Sequence, residues 1–142
     1  MQSMAQLLST KGSRVWSISP DATVYEGLEL MAQKNIGALL ILDGGRAVGI
    51  MSERDYARKI ILEGRSSRDT QIRSIMTTRL VSARPDATIE ECMAIMTRER
   101  IRHLPVVDGE AVVGMVSIGD LVKATIDQQQ FTIEQLERYI AT

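Results

Sequence analysis

Sliding the 142-residue chain along itself by 65 positions gives a gapless match of Ser17–Ile61 onto Ser82–Ile126. Pro20-Asp21-Ala22-Thr23 falls on Pro85-Asp86-Ala87-Thr88, Asp43-Gly44 on Asp108-Gly109, and Val48-Gly49 on Val113-Gly114. The stretch Gly49-Ile50-Met51-Ser52-Glu53-Arg54-Asp55 returns as Gly114-Met115-Val116-Ser117-Ile118-Gly119-Asp120, so Gly-x-x-Ser-x-x-Asp occurs twice. An unbroken register of this length means two copies of one supersecondary unit. Each copy, of roughly 60 residues, would be marginal alone. The two are therefore expected to bury their apolar faces together and to leave equivalent clefts between them.

Local signals agree within each copy. Thr23-Val-Tyr-Glu26 and Thr88-Ile-Glu-Glu91 have the Thr-x-x-Glu form of a capping box and predict helix starts. Val24, Leu28 and Met31, and then Ile89, Met93 and Met96, follow the i, i+4, i+7 spacing of a buried helical stripe, with Cys92 beside it. The apolar runs Ala38 to Leu42 and Leu104 to Val107 lead through Asp-Gly into a second run, which predicts a β-hairpin. A helix is expected after each hairpin, at about Glu53 to Glu63 and Gly119 to Gln130. Short strands near Val15 to Ile18 and Leu80 to Ala83 complete a β-α-β-β-α unit. Gly64 to Ser74, rich in Arg and Ser, reads as a linker. Expected boundaries are 8–64 and 75–128 for the copies, 65–74 for the linker and 129–142 for a C-terminal amphipathic helix, with a short helix around Met4, Leu7 and Leu8.

An apolar fraction of 44% and a charged fraction of 25% are those of a soluble globular protein. Seventeen basic against 18 acidic residues give no global attraction for nucleic acid. The single cysteine cannot close an intramolecular disulfide, which fits a reducing, cytoplasmic setting. The N-terminus lacks the pattern of a signal peptide, and no stretch approaches the roughly 20 apolar residues that span a bilayer. No metal site is expected, since one histidine and one cysteine make a poor ligand inventory.

Gly-x-x-Ser-x-x-Asp admits two readings. Ser52 and Ser117 fall where strand gives way to helix, so each Ser/Asp pair can be a cap. A helix start also offers unpaired N–H groups and partial positive charge to an anion, while an aspartate can accept hydrogen bonds from a diol, a pairing that suits phosphate plus ribose.

The tandem copies, the Pro-Asp-Ala-Thr openings, Arg102-His103-Leu104-Pro105-Val106-Val107-Asp108 and the two Gly-x-x-Ser-x-x-Asp segments together resemble a pair of CBS domains, or Bateman module, over approximately residues 8 to 126. The resemblance implies an α+β fold of tandem β-α-β-β-α repeats packed as a pseudo-twofold pair, with clefts for adenine nucleotides or related adenosyl ligands. It assigns ribose and phosphate contacts to Ser52 and Asp55 and to Ser117 and Asp120. It points to Trp16, Ser17, Ile36, Gly37 and Ala38 around the adenine of one cleft, and to Val81, Ser82, Ile101, Arg102 and His103 around that of the other. Ile36 and Ile101 read equally as core, and Trp16 reads as packing or as a stacking platform.

Arg54, Arg58, Arg100, Arg102 and His103 are candidate phosphate contacts, because guanidinium groups pair bidentately with phosphate oxygens. Arg98 and Arg100 also suit a plain solvated face. The basic group at Arg98, Arg100, Arg102 and His103 favours the second copy as the anchor for a polyphosphate. The first copy carries Lys34-Asn35-Ile36-Gly37 there and has nothing like His-Leu-Pro.

Three function classes follow. The leading expectation is a regulatory module that binds AMP, ADP, ATP or NAD(H) and transmits occupancy to an effector protein or through a homodimer. An enzyme is disfavoured by the lack of convergent His, Cys and carboxylate groups, and no catalytic cofactor is expected. A structural adaptor that senses no nucleotide is the alternative.

Overall fold

A computed structural model describes residues 2–141, which divide into two units. The first unit is Val15–Val81; the second joins residues 2–14 to 82–141. The compact units are not the sequence repeats themselves, because the stretch before each copy is built into the unit of the other copy.

In the first unit β1 (Ser17–Ile18) pairs in parallel with β2 (Ala38–Asp43), and β2 pairs antiparallel with β3 (Arg46–Ser52). The β2–β3 turn needs left-handed backbone at Gly44 (φ 58°) and Gly45 (φ 82°), the two-residue turn whose twist matches that of its strands. Helix α2 (Val24–Lys34) starts at Thr23, whose hydroxyl accepts the Glu26 N–H. The Glu26 carboxylate meets the threonine hydroxyl at 3.2 Å. Val24, Met31, Leu39, Ile41, Met51, Ile60, Ile72 and Ile75 form the core, with Leu28 half-buried at its edge.

The expected linker is structured. The Ser67 and Thr70 carbonyls accept the Tyr25 and Val24 N–H groups at the start of α2, satisfying donors that a helix start leaves orphaned. Ile72 and Arg73 donate to the Ala22 and Pro20 carbonyls, and Thr77 bridges Ile50 of β3. Ile72 and Ile75 enter the core outright.

The second unit repeats this with the N-terminal segment. Gln2 accepts from Ile89 N–H, while Met4 and Ala5 donate to the Ala87 and Pro85 carbonyls. Gln2, Met4, Leu7 and Leu8 thus do what Thr70, Ile72, Ile75 and Met76 do, at an offset of 68 rather than 65. Helix α1 (Met4–Lys11) carries Met4, Leu7 and Leu8 into this unit's core. Helix α4 (Ile89–Glu99) buries Ile89, Cys92 and Met96, so Cys92 lies in the stripe and Met93 at its edge, the reverse of expectation. Cys92 stands at the position of Gly27, where Met51 fills the room left by the absent side chain. Strands β4 (His103–Asp108) and β5 (Ala111–Ser117) form the hairpin, with a register shift at Val106/Val107 matching that at Ile41/Leu42. In place of a second β1, a single parallel bridge joins Ala83 to Val106.

The helices after the hairpins differ. Residues Glu53–Tyr56 form α3 and Ala57–Ile61 widen into a π turn. Helix α5 (Ile118–Ala141) runs unbroken for 24 residues, so the expected separate C-terminal helix is its second half. Leu121 is its one buried residue, and Phe131, Ile133, Leu136, Tyr139 and Ile140 are exposed. Among the described residues no helix is long and apolar enough to cross a membrane.

Candidate functional site

The duplicated Gly-x-x-Ser-x-x-Asp begins with a packing device. A Cβ on Gly49 would lie 2.8 Å from Met76 Sδ and 2.9 Å from the Thr77 carbonyl; one on Gly114 would lie 2.5 Å from Leu8 Cδ1. Each glycine lets the segment borrowed from elsewhere in the chain lie flat on the hairpin, which answers why both copies keep it.

Serine and aspartate then close the cap reciprocally. Asp55 N–H donates to Ser52 Oγ at 3.2 Å, and Ser52 N–H returns a bond to Asp55 Oδ2 at 2.9 Å. In the second unit Asp120 N–H donates to Ser117 Oγ at 3.1 Å and Ser117 N–H to Asp120 Oδ2 at 2.8 Å. Both carboxylates therefore serve their own backbone first.

Their remaining capacity differs. Asp55 is 7% exposed. Its Oδ2 also accepts the Ser52 hydroxyl at 3.1 Å, and its Oδ1 accepts Thr77 Oγ1 at 3.1 Å and meets Lys59 Nζ at 3.0 Å. A carboxylate has about four acceptor sites, so Asp55 is saturated. The Asp120 side chain is 26% exposed. Its Oδ2 holds the Ser117 N–H and Lys11 Nζ at 3.1 Å, and no hydrogen bond from the described residues reaches its Oδ1. Lys11 also donates to the Met115 carbonyl at 2.6 Å. Lys11 and Asp120 line a cavity of about 750 Å³ between α1 and α5, along with Gln6, Thr10, Lys123 and Phe131.

Several residues expected at the sites do gather around these caps. Ala38 pairs with Ser52 across β2 and β3, and the Gly37 carbonyl accepts the Glu53 N–H at 3.1 Å. Trp16 and Ser17 run beside Leu40 one strand further on. Lys34 Nζ lies over the Trp16 ring, 4.2 Å from its centre, and both Trp16 and Ile36 pack against the core. Arg54 and Arg58 sit on the first turns after Ser52. In the second unit His103 pairs with Ser117, and the Arg102 carbonyl accepts the Ile118 N–H at 2.8 Å. Ile101 is half-buried after the α4 cap, Ser82 precedes the Ala83 bridge, and Arg100 takes left-handed backbone (φ 56°) as Asn35 does in the first copy. Val81 is the last residue of the first unit and is bonded to Ser82, the first residue of the second-copy stretch.

The residues that reasoning from sequence missed are Lys11, Lys59 and Thr77. Lys59 was legible as the i+4 partner of Asp55 on one helix. Lys11 and Thr77 reach their aspartates from the exchanged segments and leave no local signal.

Among the described residues no cluster of three or more His, Cys, Asp or Glu side chains is placed to hold a metal ion. Burial pushes the Cys92 thiol up to about 11, which keeps it protonated and unreactive near neutrality.

The family model for the CBS domain matches residues 9–62 and 72–127. A solved putative signal-transduction protein with CBS domains from Burkholderia ambifaria is 47% identical, with a TM-score of 0.87 over 93% of this chain and 99% of that one. A mitochondrial CBS domain-containing protein of Arabidopsis thaliana, CBSX3, is 41% identical over 93% of this chain, which spans 66% of that protein's length. The CBS domain pair of protein MJ0100, solved with 5′-methylthioadenosine and S-adenosyl-L-methionine, is 23% identical with a TM-score of 0.79, over 90% of this chain and 98% of that one. The order of elements, the paired capping motifs and these matches together make the chain a member of the CBS-domain family, carrying two such domains.

Proposed function

We propose that the chain is a regulatory module that binds one adenosine-containing ligand at the Ser117–Asp120 cap. The observation that supports this is the uncommitted oxygen of the partly exposed Asp120 side chain, beside whose cap the Arg102 carbonyl is bonded and His103 paired. A ribose diol needs acceptors of this kind, and charge-assisted bonds to a carboxylate are the stronger ones. The adenosyl compounds held by the MJ0100 domain pair supply the ligand class. AMP, ADP, ATP and NAD(H) share the adenosine end and are the candidates here. Arg100 and Arg102, in the stretch that leads from α4 into β4, supply positive charge for phosphate, and His103 a ring N–H.

The first-copy set, Ser52 and Asp55 with Trp16, Ser17, Ile36, Gly37, Ala38, Arg54 and Arg58, is given a structural role, because Asp55 has no acceptor site left for a diol. The protein acts in the cytoplasm as a homodimer, sends its output to an effector protein, and catalyses nothing. The exposed apolar positions of α5 support self-association.

The test is a thermal-shift panel of AMP, ADP, ATP, NAD(H) and S-adenosylmethionine. A ligand at one hundred times its Kd adds roughly 2.7 kcal/mol, a rise of several degrees for a chain of this size. A flat response to every compound would replace this reading with that of an adaptor.

A further inference from the structure

Lys11 is the one cation recorded on Asp120, and it arrives from a helix some hundred residues earlier in the chain, whereas Lys59 reaches Asp55 from the same helix. A carboxylate oxygen accepts about two hydrogen bonds. On Asp120, Oδ2 is filled by the Ser117 N–H and Lys11, and Oδ1 is open. A vicinal diol that grips both oxygens needs one place on each. The Ser117 N–H is fixed backbone at the helix cap and cannot yield. The Lys11 side chain is 36% exposed and borders the α1–α5 cavity, so it can.

We infer that Lys11 is a latch that diol binding opens: a ligand taking both oxygens of Asp120 evicts the ammonium and loosens the seating of α1. This rests on the reading of Asp120 as the diol acceptor and adds how its occupancy becomes a signal. Helix α1 is otherwise held by Met4, Leu7 and Leu8 and by the Met4 and Ala5 backbone bonds near its start. Its C-terminal turn ends at Gly12, whose side chain-free backbone has φ 105°. That turn is also held by the Lys11 bond to the Met115 carbonyl and by Leu8 packed on Gly114, so eviction from Asp120 removes its ionic hold and loosens the turn without releasing it.

Hydrogen exchange on the full chain decides the first half without any ligand. Lys11→Met, which keeps the packing but removes the charge, should speed exchange of the last-turn amides of α1 by about 3- to 10-fold, and Lys11→Arg should restore protection. Equal exchange in wild type and Lys11→Met would overturn the latch. The second half uses AMP as probe against its 2′-deoxy counterpart. AMP should raise α1 exchange in wild type, bind Lys11→Met about 3- to 10-fold more tightly than wild type, and leave α1 exchange in that variant unchanged. The deoxy compound, lacking the diol, should not loosen α1. Weaker AMP binding by Lys11→Met would show that Lys11 helps the ligand and would overturn the competition. If AMP and the rest of the panel fail to bind either protein, the functional reading falls, while the exchange result still decides whether Lys11 holds α1.

Discussion

Asp55 and Asp120 occupy the same place in the two copies, close the same cap and differ in everything beyond it. Asp55 is 7% exposed with its acceptor sites filled by Ser52, Thr77 and Lys59; Asp120 is open on one oxygen and held on the other by a lysine from α1. The repeated motif therefore encodes a helix start in both copies, and the neighbours it meets decide whether a carboxylate is left over for a ligand. Burial and acceptor saturation, which no motif records, leave the Asp55 carboxylate filled and the Asp120 carboxylate with room for a further donor.

The largest effect that sharpens this comparison concerns the exchanged segments. Ile72→Ala and Met4→Ala remove equivalent, fully buried side chains, and each should cost about 2–5 kcal/mol in urea unfolding. A loss below about 1 kcal/mol for either would break their equivalence. Next come the aspartates themselves. Asp55→Ala leaves the Thr77 hydroxyl and the Ser52 N–H without their acceptor at a buried cap and should cost about 2–4 kcal/mol. Asp120→Ala should cost only about 1 kcal/mol, the value of a cap, yet weaken an adenosyl ligand on the order of 10- to 100-fold. The comparison breaks if calorimetry finds the two variants alike in both stability and affinity.

A smaller effect separates Cys92 from its counterpart Gly27. The thiol titrates near 11 when folded and near 9 when unfolded, so the folded state favours the protonated form. That stability is fully present below the unfolded value and is lost as pH rises from about 9 to about 11, on the order of 2 kcal/mol in all. Subtracting the pH profile of Cys92→Ala from that of wild type isolates it; parallel profiles would show a thiol with ordinary acidity. Least in free energy is truncation at Gln129, which removes the exposed Phe131, Ile133, Leu136, Tyr139 and Ile140 and should shift light scattering toward monomer while leaving the melting temperature within a few degrees. Unaltered mass would assign self-association to another surface.

What could be read from the sequence was local or periodic. Thr23 and Thr88 announced α2 and α4, Asp-Gly announced both hairpins, and the 65-residue period announced the duplication. The exchange of Gln2–Leu8 and Thr70–Met76 was hidden because its equivalence rests on a few apolar positions, Met4/Ile72, Leu7/Ile75 and Leu8/Met76, at a period shifted by three. Polar composition disguised Gly64 to Ser74 as a tether, although its Ser67 and Thr70 carbonyls cap α2. At the candidate site, Ser and Asp were legible from spacing. The partners that distinguish the copies were not, since Lys11 and Thr77 are brought in by tertiary contact alone.

The borrowed N-terminal segment also bears on the order of events at the ribosome. Met4 is made about eighty residues before Ala87, whose carbonyl accepts its N–H. At about 5–20 residues per second α1 waits several seconds with Met4, Leu7 and Leu8 uncovered, while Val15–Val81 has every piece it needs as soon as it emerges. Nascent chains halted shortly after Val81 should therefore present a finished first unit with Met4, Leu7 and Leu8 still uncovered.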